Sequence, residues 1–282
     1  MALQGMYHPA SVDEALALLA QDPEAKLMSG GATLVAMMNA RVLEPRALVS
    51  LGRIAEIKGI TALPDGRVRI GAFTRHCETA ACALLTGTAA VVRDASGQIA
   101  NASVRNMGTI GGSIAFADPG IDYPPALVAA QAEVEIASPG GRRTVPAAEF
   151  FVDWYTTAVE PGEMVTAVIV PKPLEGTGLY VKHARVSGDY AIASVAICLR
   201  RGSGLRVAIG SCGPTPIADE EVNAILSADC SAAALSRAGE LLQARADPLD
   251  DVRGTAEYRR MLIPRLLARA VHSVQAAQET PA

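Results

Sequence analysis

Two glycine-rich segments of the sequence combine bare backbone with hydroxyl side chains. One is Gly108-Thr109-Ile110-Gly111-Gly112-Ser113, and Ser29-Gly30-Gly31-Ala32-Thr33-Leu34 repeats the combination near the N-terminus. Glycine lacks the Cβ that would stop another group from approaching the backbone. Backbone N–H groups and Ser or Thr hydroxyls can together bind an anion without a lysine. The two segments therefore predict a cradle that grips one diphosphate from both sides.

Neither segment matches the common phosphate-binding motifs. The sequence has no Gly-Lys-Ser/Thr of a Walker A loop and no Gly-x-Gly-x-x-Gly turn at either place. A single Gly-Gly pair most often marks a tight turn or a bulge. The same chemistry occurs twice here, which favours a nucleotide-binding design of another kind.

Composition and charge narrow the class of protein. The chain has 282 residues, of which 50% are hydrophobic and only 4% aromatic. Aliphatic side chains must therefore fill the interior, as in packed α/β layers, and the length suits two or three domains. The net charge of −4 and the absence of a Lys/Arg block argue against nucleic acid or an anionic membrane as the main partner.

Targeting signals and metal-binding patterns are also missing from the sequence. The first residues have no basic segment followed by a long apolar run, and no apolar run reaches membrane-spanning length, so we expect a cytoplasmic protein. The histidines lack metal-ligand spacing, and no Ser/His/Asp order or paired carboxylates indicate acid–base catalysis. The cysteines are odd in number, lack a Cys-x-x-Cys pair and predict no disulfide framework or metal cluster: Cys77, Cys82, Cys198, Cys212 and Cys230.

The N-terminal part predicts a small α/β unit. Ser11 and Glu14 form a capping box for a first helix. We expect a strand at 26–28, a helix at 34–41 and a strand at 47–51. This order places the first glycine-rich segment between a strand and a helix.

The middle of the chain predicts a second α/β unit. Thr74 is expected to cap a helix that carries His76, and Asp122 to open a helix at 126–130. A further helix is expected at 89–93, with strands at 67–73, 134–136, 143–145 and 165–170. Pro171-Lys172-Pro173 marks a domain boundary.

The C-terminal part predicts a sheet followed by helices. Strand-like runs at 178–183, 191–199 and 205–211 have short connections, so they should pair antiparallel. Helical patterns follow at 220–226, 232–245 and 256–274. We therefore expect a three-stranded antiparallel sheet with helices on one face.

Several motifs occur in an order that resembles the flavoprotein (medium) subunit of the xanthine dehydrogenase and carbon monoxide dehydrogenase family of molybdenum hydroxylases. Besides the glycine-rich segments, they are Tyr7-His8-Pro9, Ile70-Gly71-Ala72-Phe73-Thr74, 99–122, 182–191 and 210–216. The resemblance implies an α+β fold: a two-subdomain FAD-binding fold of the vanillyl-alcohol oxidase (PCMH) type, then a small C-terminal domain. The domains would be 1–60, 61–173 and 174–282.

The resemblance also implies a set of FAD-binding residues. Asp122 matches an aspartate that binds the nucleotide, Met164 a position beside the flavin ring, and Lys182 a lysine near the flavin carbonyls, where its charge would raise the reduction potential. Tyr190 is expected to shield or gate the ring. The glycine-rich segments supply the rest: Gly30, Gly31, Ala32, Thr33, Leu34, Thr109, Gly111, Gly112 and Ser113.

Each of three site residues has a plainer interpretation beside this one. Asp122 could be only a helix N-cap, Lys182 a solvated strand lysine, and Tyr190 a half-buried tyrosine with a bonded hydroxyl. Ala32 stands where covalent flavoproteins of the wider fold carry a histidine, so non-covalent FAD is expected. The cysteine spacing argues against an additional iron–sulfur cluster.

Electron transfer is the function that the resemblance implies. A molybdenum cofactor in a large subunit would oxidise the substrate, and 2Fe-2S clusters in a small subunit would carry electrons to FAD, which delivers them to an external acceptor. The assembly would be a heterotrimer or a dimer of heterotrimers. Two alternatives stay open: a stand-alone FAD-dependent oxidoreductase of the vanillyl-alcohol oxidase type, and a non-catalytic nucleotide-binding module.

Overall fold

The computed structural model describes residues 5–202 and 204–279. Its N-terminal region is a three-stranded parallel sheet in the order β1-β3-β2 with two helices. The elements are β1 (Gly5–Tyr7), α1 (Val12–Gln21), β2 (Lys26–Met28), α2 (Ala32–Asn39) and β3 (Ala47–Ser50).

The two helices of this region begin for different reasons. The Ser11 hydroxyl accepts a hydrogen bond from the Glu14 amide at 3.1 Å, which confirms the predicted start of α1. Helix α2 begins two residues earlier than predicted because Gly31, at φ 75°, occupies its N-cap. The left-handed backbone of Gly31 turns the chain directly from the glycine pair into the helix.

The second region is built on a five-stranded antiparallel sheet in the order β4-β5-β10-β6-β7. Its central strand, β10 (Met164–Val170), is buried along its whole length. The other elements are β4 (Ile60–Ala62), β5 (Val68–Gly71), α3 (His76–Ala80), α4 (Ala90–Gly97), α5 (Ala102–Met107), α6 (Ile110–Phe116), α7 (Tyr123–Ala129), β6 (Glu133–Ser138), β7 (Gly141–Pro146), α8 (Ala147–Phe150), β8 (Phe151–Asp153) and β9 (Thr156–Thr157).

Of two predicted helix starts in this region, the Thr74 cap is wrong and Asp122 opens its helix without a capping hydrogen bond. Arg75, not Thr74, precedes α3, and the Thr74 hydroxyl donates to the Gly59 carbonyl at 2.9 Å. Asp122 does occupy the N-cap position of α7, but its side chain makes no capping hydrogen bond. Both side chains are buried and find partners across the fold instead.

The C-terminal region is a four-stranded antiparallel sheet with three helices. The three predicted strands are confirmed, and a two-residue edge strand that the sequence analysis missed joins them next to β13. The elements are β11 (Gly176–His183), β12 (Ala193–Arg200), β13 (Leu205–Gly210), β14 (Ile217–Ala218), α9 (Glu220–Ala228), α10 (Ala232–Arg245) and α11 (Ala256–Glu279).

The three C-terminal helices cover one face of this sheet, as predicted, and the second region covers the other. Side chains alternate along β12, so Val195 and Ile197 pack with the helices α9, α10 and α11. Ala196 and Cys198 point the other way, into the core of the second region. The two regions therefore share a continuous interior. None of the described helices is long and apolar enough to cross a membrane.

Candidate functional site

The two glycine-rich segments touch each other. The hydroxyl oxygens of Ser29 and Thr109 lie 2.8 Å apart and share a hydrogen bond. A Cβ added to Gly30 would lie only 1.7 Å from the Met107 carbonyl oxygen, and one added to Gly111 would lie 2.5 Å from the Cβ of Ala72. Glycine at position 30 therefore lets the two segments meet, and glycine at position 111 lets the second segment pack on Ala72.

The first segment offers free backbone donors. The Val35 amide donates to the Gly31 carbonyl at 2.9 Å, but the three preceding amides, those of Ala32, Thr33 and Leu34, have no hydrogen-bond partner among the described residues. They are the first N–H groups of α2, at the positive end of the helix. This arrangement suits an anion such as a diphosphate.

The second segment differs from the predicted loop. Its glycines belong to the first turn of α6, with Thr109 as the N-cap. The Gly111 amide donates to the Ala72 carbonyl at 2.9 Å, and the Gly112 amide donates to the Thr109 hydroxyl at 3.2 Å. The expectation of a row of free N–H donors here is therefore wrong, because the helix and its contact with Ala72 use those donors. The segment contributes close approach and the hydroxyls of Thr109 and Ser113.

The segments border a cavity of about 560 Å³, within the usual size range of ligand sites. The structure brings most of the predicted residues to it but leaves Met164 and Lys182 out of its lining. The predicted residues that line the cavity are Gly30, Gly31, Ala32, Thr33, Leu34, Thr109, Gly111, Gly112, Ser113, Asp122 and Tyr190.

Met164 lies on the opposite side of β10 from the cavity. Its side chain is fully buried and packs with apolar residues of the N-terminal region. Adjacent side chains of a strand point to opposite faces, and the next residue, Val165, lines the cavity. Val165, and not the Met164 side chain, therefore faces the cavity.

Lys182 and Asp122 form a buried ion pair at the cavity wall. The Lys182 ammonium lies 3.0 and 3.1 Å from the two carboxylate oxygens of Asp122, and each side chain is 6% exposed. The Tyr180 hydroxyl also donates to Asp122, at 2.6 Å. Lys182 is therefore not a solvated lysine, and its charge is balanced by a carboxylate.

Burial sets the protonation behaviour of this group. Loss of water contact raises the pKa of Asp122, while the Lys182 charge and the Tyr180 hydroxyl act in the opposite direction. Burial and the nearby carboxylate also raise the pKa of Tyr180 well above its ordinary value, so the phenol stays protonated and donates. The three side chains form one polar unit in an apolar wall.

His76 is a lining residue that the sequence analysis did not assign to the site. Its ring is 4% exposed, and its Nδ1 lies 3.2 Å from the Tyr123 hydroxyl. Burial, with a smaller effect of the Arg105 charge, lowers the pKa of His76 to about 4, so the imidazole is neutral at neutral pH. No spacing in the sequence distinguishes His76 from the other histidines.

Two tyrosines flank the solvent-exposed edge of the cavity. Tyr190 is one of them, and no hydrogen bond from its hydroxyl is found within 5–202 and 204–279. Tyr155, in the turn between β8 and β9, was not predicted. It is 57% exposed, and its hydroxyl donates to Asp118 at 3.1 Å. Tyr155 has a φ of 53°, and Ala100, another lining residue, has a φ of 42°. Such backbone conformations are strained for residues other than glycine.

The rest of the described chain offers no metal site or reactive thiol. Across the described ranges, no three His, Cys, Asp or Glu side chains are grouped so that they could hold a metal ion. All five cysteines are free thiols. Burial raises the pKa of Cys198 and of Cys212 to about 12, which keeps both thiols protonated.

Comparison with known families accounts for nearly the whole chain. The family model described as "FAD binding domain in molybdopterin dehydrogenase" matches residues 2–173. A second, described as "CO dehydrogenase flavoprotein C-terminal domain", matches residues 179–274.

Individual relatives and solved structures agree with this result. The chain is 35% identical to the carbon monoxide dehydrogenase medium chain of Hydrogenophaga pseudoflava, covering 96% of both chains. It is 28% identical to the xanthine dehydrogenase FAD-binding subunit of Escherichia coli, again with 96% coverage of each. A structure of carbon monoxide dehydrogenase from Hydrogenophaga pseudoflava matches with a TM-score of 0.93 and 34% identity, covering 98% of each chain.

These matches identify the fold, the family and the cofactor class together. Quinoline 2-oxidoreductase from Pseudomonas putida, at 27% identity and a TM-score of 0.89 over 98% of each chain, extends the likeness to a further enzyme of the group. The resemblance drawn from the motifs is confirmed, as is the expected FAD-binding fold with its C-terminal domain. The chain belongs to the family of FAD-binding medium subunits that includes those of carbon monoxide dehydrogenase and xanthine dehydrogenase.

Proposed function

We propose that this chain is the electron-transfer subunit of a molybdenum hydroxylase complex. Electrons released at a molybdenum cofactor in a large subunit pass through 2Fe-2S clusters in a small subunit, cross this chain and leave to an external acceptor. The names of relatives support this role, since they are medium chains, or a subunit of a dehydrogenase complex. The observation that carries the proposal is the cavity closed by the two glycine-rich segments.

The donors and shape of this cavity fit FAD. Three unpaired amides at the start of α2 match a diphosphate, and Thr109 and Ser113 of the facing segment line the same cavity. The mainly apolar lining of the rest of the cavity suits a ring system. When bound, FAD supplies redox chemistry that takes up electrons singly from an iron–sulfur cluster and gives them up in pairs.

In this proposal, residues of this chain bind FAD and fix its orientation. The amides of Ala32, Thr33 and Leu34 hold the diphosphate, and the hydroxyls of Thr109 and Ser113 complete its hydrogen bonds. The Asp122 carboxylate, fixed by Lys182 and Tyr180, accepts hydrogen bonds from the nucleotide. Tyr190 shields one end of the cavity from water.

This proposal gives each domain of the chain a role in binding FAD. We propose that 1–60 and 61–173 are the two halves that enclose FAD, and that 174–282 adds Lys182 and Tyr190 to the site. Partner subunits complete the enzyme as a heterotrimer or a dimer of heterotrimers. Oxygen, a quinone or NAD are acceptors that such a flavin can serve.

Purification tests the proposal against its alternatives. The chain alone should show flavin absorption that bleaches on reduction with dithionite, and it should not oxidise the organic substrate of the complex. Co-purification with the products of neighbouring genes should bring molybdenum and iron. Substrate turnover by the isolated chain would support a stand-alone oxidoreductase instead. A colourless chain that binds nucleotide without redox change would support the non-catalytic module.

A further inference from the structure

An arginine from the C-terminal region packs on the tyrosine at the edge of the cavity. The guanidinium carbon of Arg253 lies 4.7 Å from the centre of the Tyr190 ring. Its Nε is 3.7 Å from a carboxylate oxygen of Asp189, the residue before Tyr190. A cation over an aromatic face is attractive, and the nearby carboxylate adds to the hold. Arg253 thus contacts the cavity edge through two consecutive residues.

Arg253 is itself held by hydrogen bonds to Asp251. Asp251 accepts hydrogen bonds from the Arg253 amide at 2.8 Å and from its Nη1 at 3.1 Å. Arg259 of α11 donates to the same carboxylate at 2.6 Å. A side chain that must satisfy Asp251 and cover Tyr190 at once has little rotational freedom left.

The last link of this chain of contacts is buried. The Arg259 side chain is 6% exposed and donates to the carbonyls of Ile192 and Ser211, at 2.6 and 3.1 Å. These carbonyls lie next to the ends of β12 and β13. The position of Arg253 is therefore anchored to the sheet rather than to a surface loop.

A second contact joins the residues before Tyr190 to those around Arg253. Arg185, earlier in the segment that leads to Tyr190, donates from its Nη1 to the Val252 carbonyl at 2.9 Å. Val252 is 83% exposed, so this bond does not arise from apolar packing. The segments around residues 185–190 and 251–254 are thus joined at both ends.

We infer that Arg253 is a positioning residue that holds the Tyr190 ring at the edge of the cavity and so limits the access of solvent and small electron acceptors to the bound flavin. The inference rests on the proposed function, in that the cavity holds FAD. The Tyr190 hydroxyl makes no hydrogen bond among the described residues, so packing against its neighbours must hold the ring in place. Gly120 also packs against this side chain, since an added Cβ there would lie 3.1 Å from the Cδ1 of Tyr190.

The test compares the FAD-loaded chain, four single variants and one double variant by two readouts that do not require turnover. These are the quenching of flavin fluorescence by iodide and the rate at which the dithionite-reduced protein is reoxidised by dissolved oxygen. Arg253→Met removes charge and stacking, whereas Arg253→Lys keeps the charge. Tyr190→Ala removes the ring, and Arg201→Gln removes an arginine of an exposed ion pair after the far end of β12.

The expected pattern follows from the strength of an exposed cation–π contact. Arg253→Met should raise both the iodide quenching constant and the reoxidation rate about two- to fivefold, and Arg253→Lys should raise them by less. Arg201→Gln should match the wild type in both. Tyr190→Ala should raise both rates at least as far as Arg253→Met. Arg253→Met combined with Tyr190→Ala should add nothing to Tyr190→Ala, because the arginine acts through the ring.

Three results would separate failure of this inference from failure of the proposed function. Arg253→Met indistinguishable from Arg201→Gln overturns the inference, as does a double variant whose effect is the sum of the single ones. If Arg253→Met does not fold, Arg253→Lys takes its place: it is compared with Arg201→Gln, and it is combined with Tyr190→Ala to test whether the two effects add. A wild-type chain that takes up no FAD instead refutes the proposed function, whatever Arg253 does.

Discussion

Gly30→Ala is the substitution that most severely disturbs the meeting of the two segments. A Cβ at this position would lie 1.7 Å from the Met107 carbonyl oxygen and 2.6 Å from its carbonyl carbon. Ordinary contacts of a Cβ begin near 3.4 Å. Because both sides are backbone, no side-chain rotation relieves the overlap, and the segments must separate by about 1.7 Å.

The cost of holding the segments closed can be worked from this geometry. Forcing an extra carbon into a packed site costs about 1–3 kcal/mol. Separation also breaks the Ser29–Thr109 hydrogen bond, a loss of about 1 kcal/mol. If FAD binds only the closed arrangement, its affinity should fall by about 2–4 kcal/mol, or roughly 30- to 700-fold.

The assay is titration of apoprotein with FAD, followed by fluorescence, together with thermal unfolding of each apoprotein. Gly140→Ala is the matched control, since its nearest neighbour would be the Ser138 hydroxyl at 3.6 Å. Ser29→Ala removes only the bridging hydrogen bond and should weaken binding about fivefold. A Gly30→Ala protein that keeps its thermal stability and binds FAD within threefold of the wild type would refute the reasoning.

Three further predictions concern the buried charges and the cofactor. Asp122→Asn leaves the Lys182 ammonium buried without its counter-ion and should lower the free energy of unfolding in urea by about 3 kcal/mol or more. The control Glu175→Gln, in an exposed ion pair, should lower it by less than about 1 kcal/mol. Equal losses in the two variants would contradict this prediction. The folded pKa of His76 is about 4, below the ordinary 6.5, so its contribution to stability is complete above pH 6.5 and is lost as the pH falls from 6.5 to 4. Over that range the wild type should lose up to about 3 kcal/mol more than His76→Gln, and the exposed-residue control His8→Gln should behave like the wild type; parallel curves for wild type and His76→Gln would exclude the effect. Finally, denatured protein should show the mass of the polypeptide alone, because Ala32 offers no nucleophile to flavin, and a retained flavin adduct would disprove non-covalent binding.

The parts of the fold that the sequence predicts well are those with local physical causes. The Ser11 cap, the strand at Lys26–Met28 and the helix at Ala232–Arg245 depend on neighbouring residues and were found as expected. The meeting of the two glycine-rich segments was predictable for a similar reason. Paired glycines next to hydroxyl residues are useful only where something must come close.

Other features depend on contacts that no local pattern shows. The glycines of the second segment read as a loop, but the Thr109 cap and the Ala72 carbonyl draw them into α6. The run of apolar residues in β10 hides an irregularity between Val165 and Ala167, and it does not reveal which side chain faces the cavity.

The polar partners of the site are distant in sequence. Asp122 is 60 residues from Lys182 and 58 residues from Tyr180. Such pairs form only when separate regions dock, so the sequence identified Asp122, Lys182 and Tyr190 through the family resemblance and not through their contacts. His76 and Tyr155 carry no motif, and only the folded structure brings them to the cavity.

A crystal structure of the chain with bound FAD is the most direct test of the central claim, which is that one diphosphate lies between the two glycine-rich segments. The measured quantity is the distance from the diphosphate oxygens to the amide nitrogens of Ala32, Thr33 and Leu34. We predict distances of about 2.7–3.2 Å for at least two of these amides, with Gly111 and Gly112 in contact with the same group. A diphosphate bound away from the start of α2, or glycine-rich segments that have moved apart around FAD, would contradict the account.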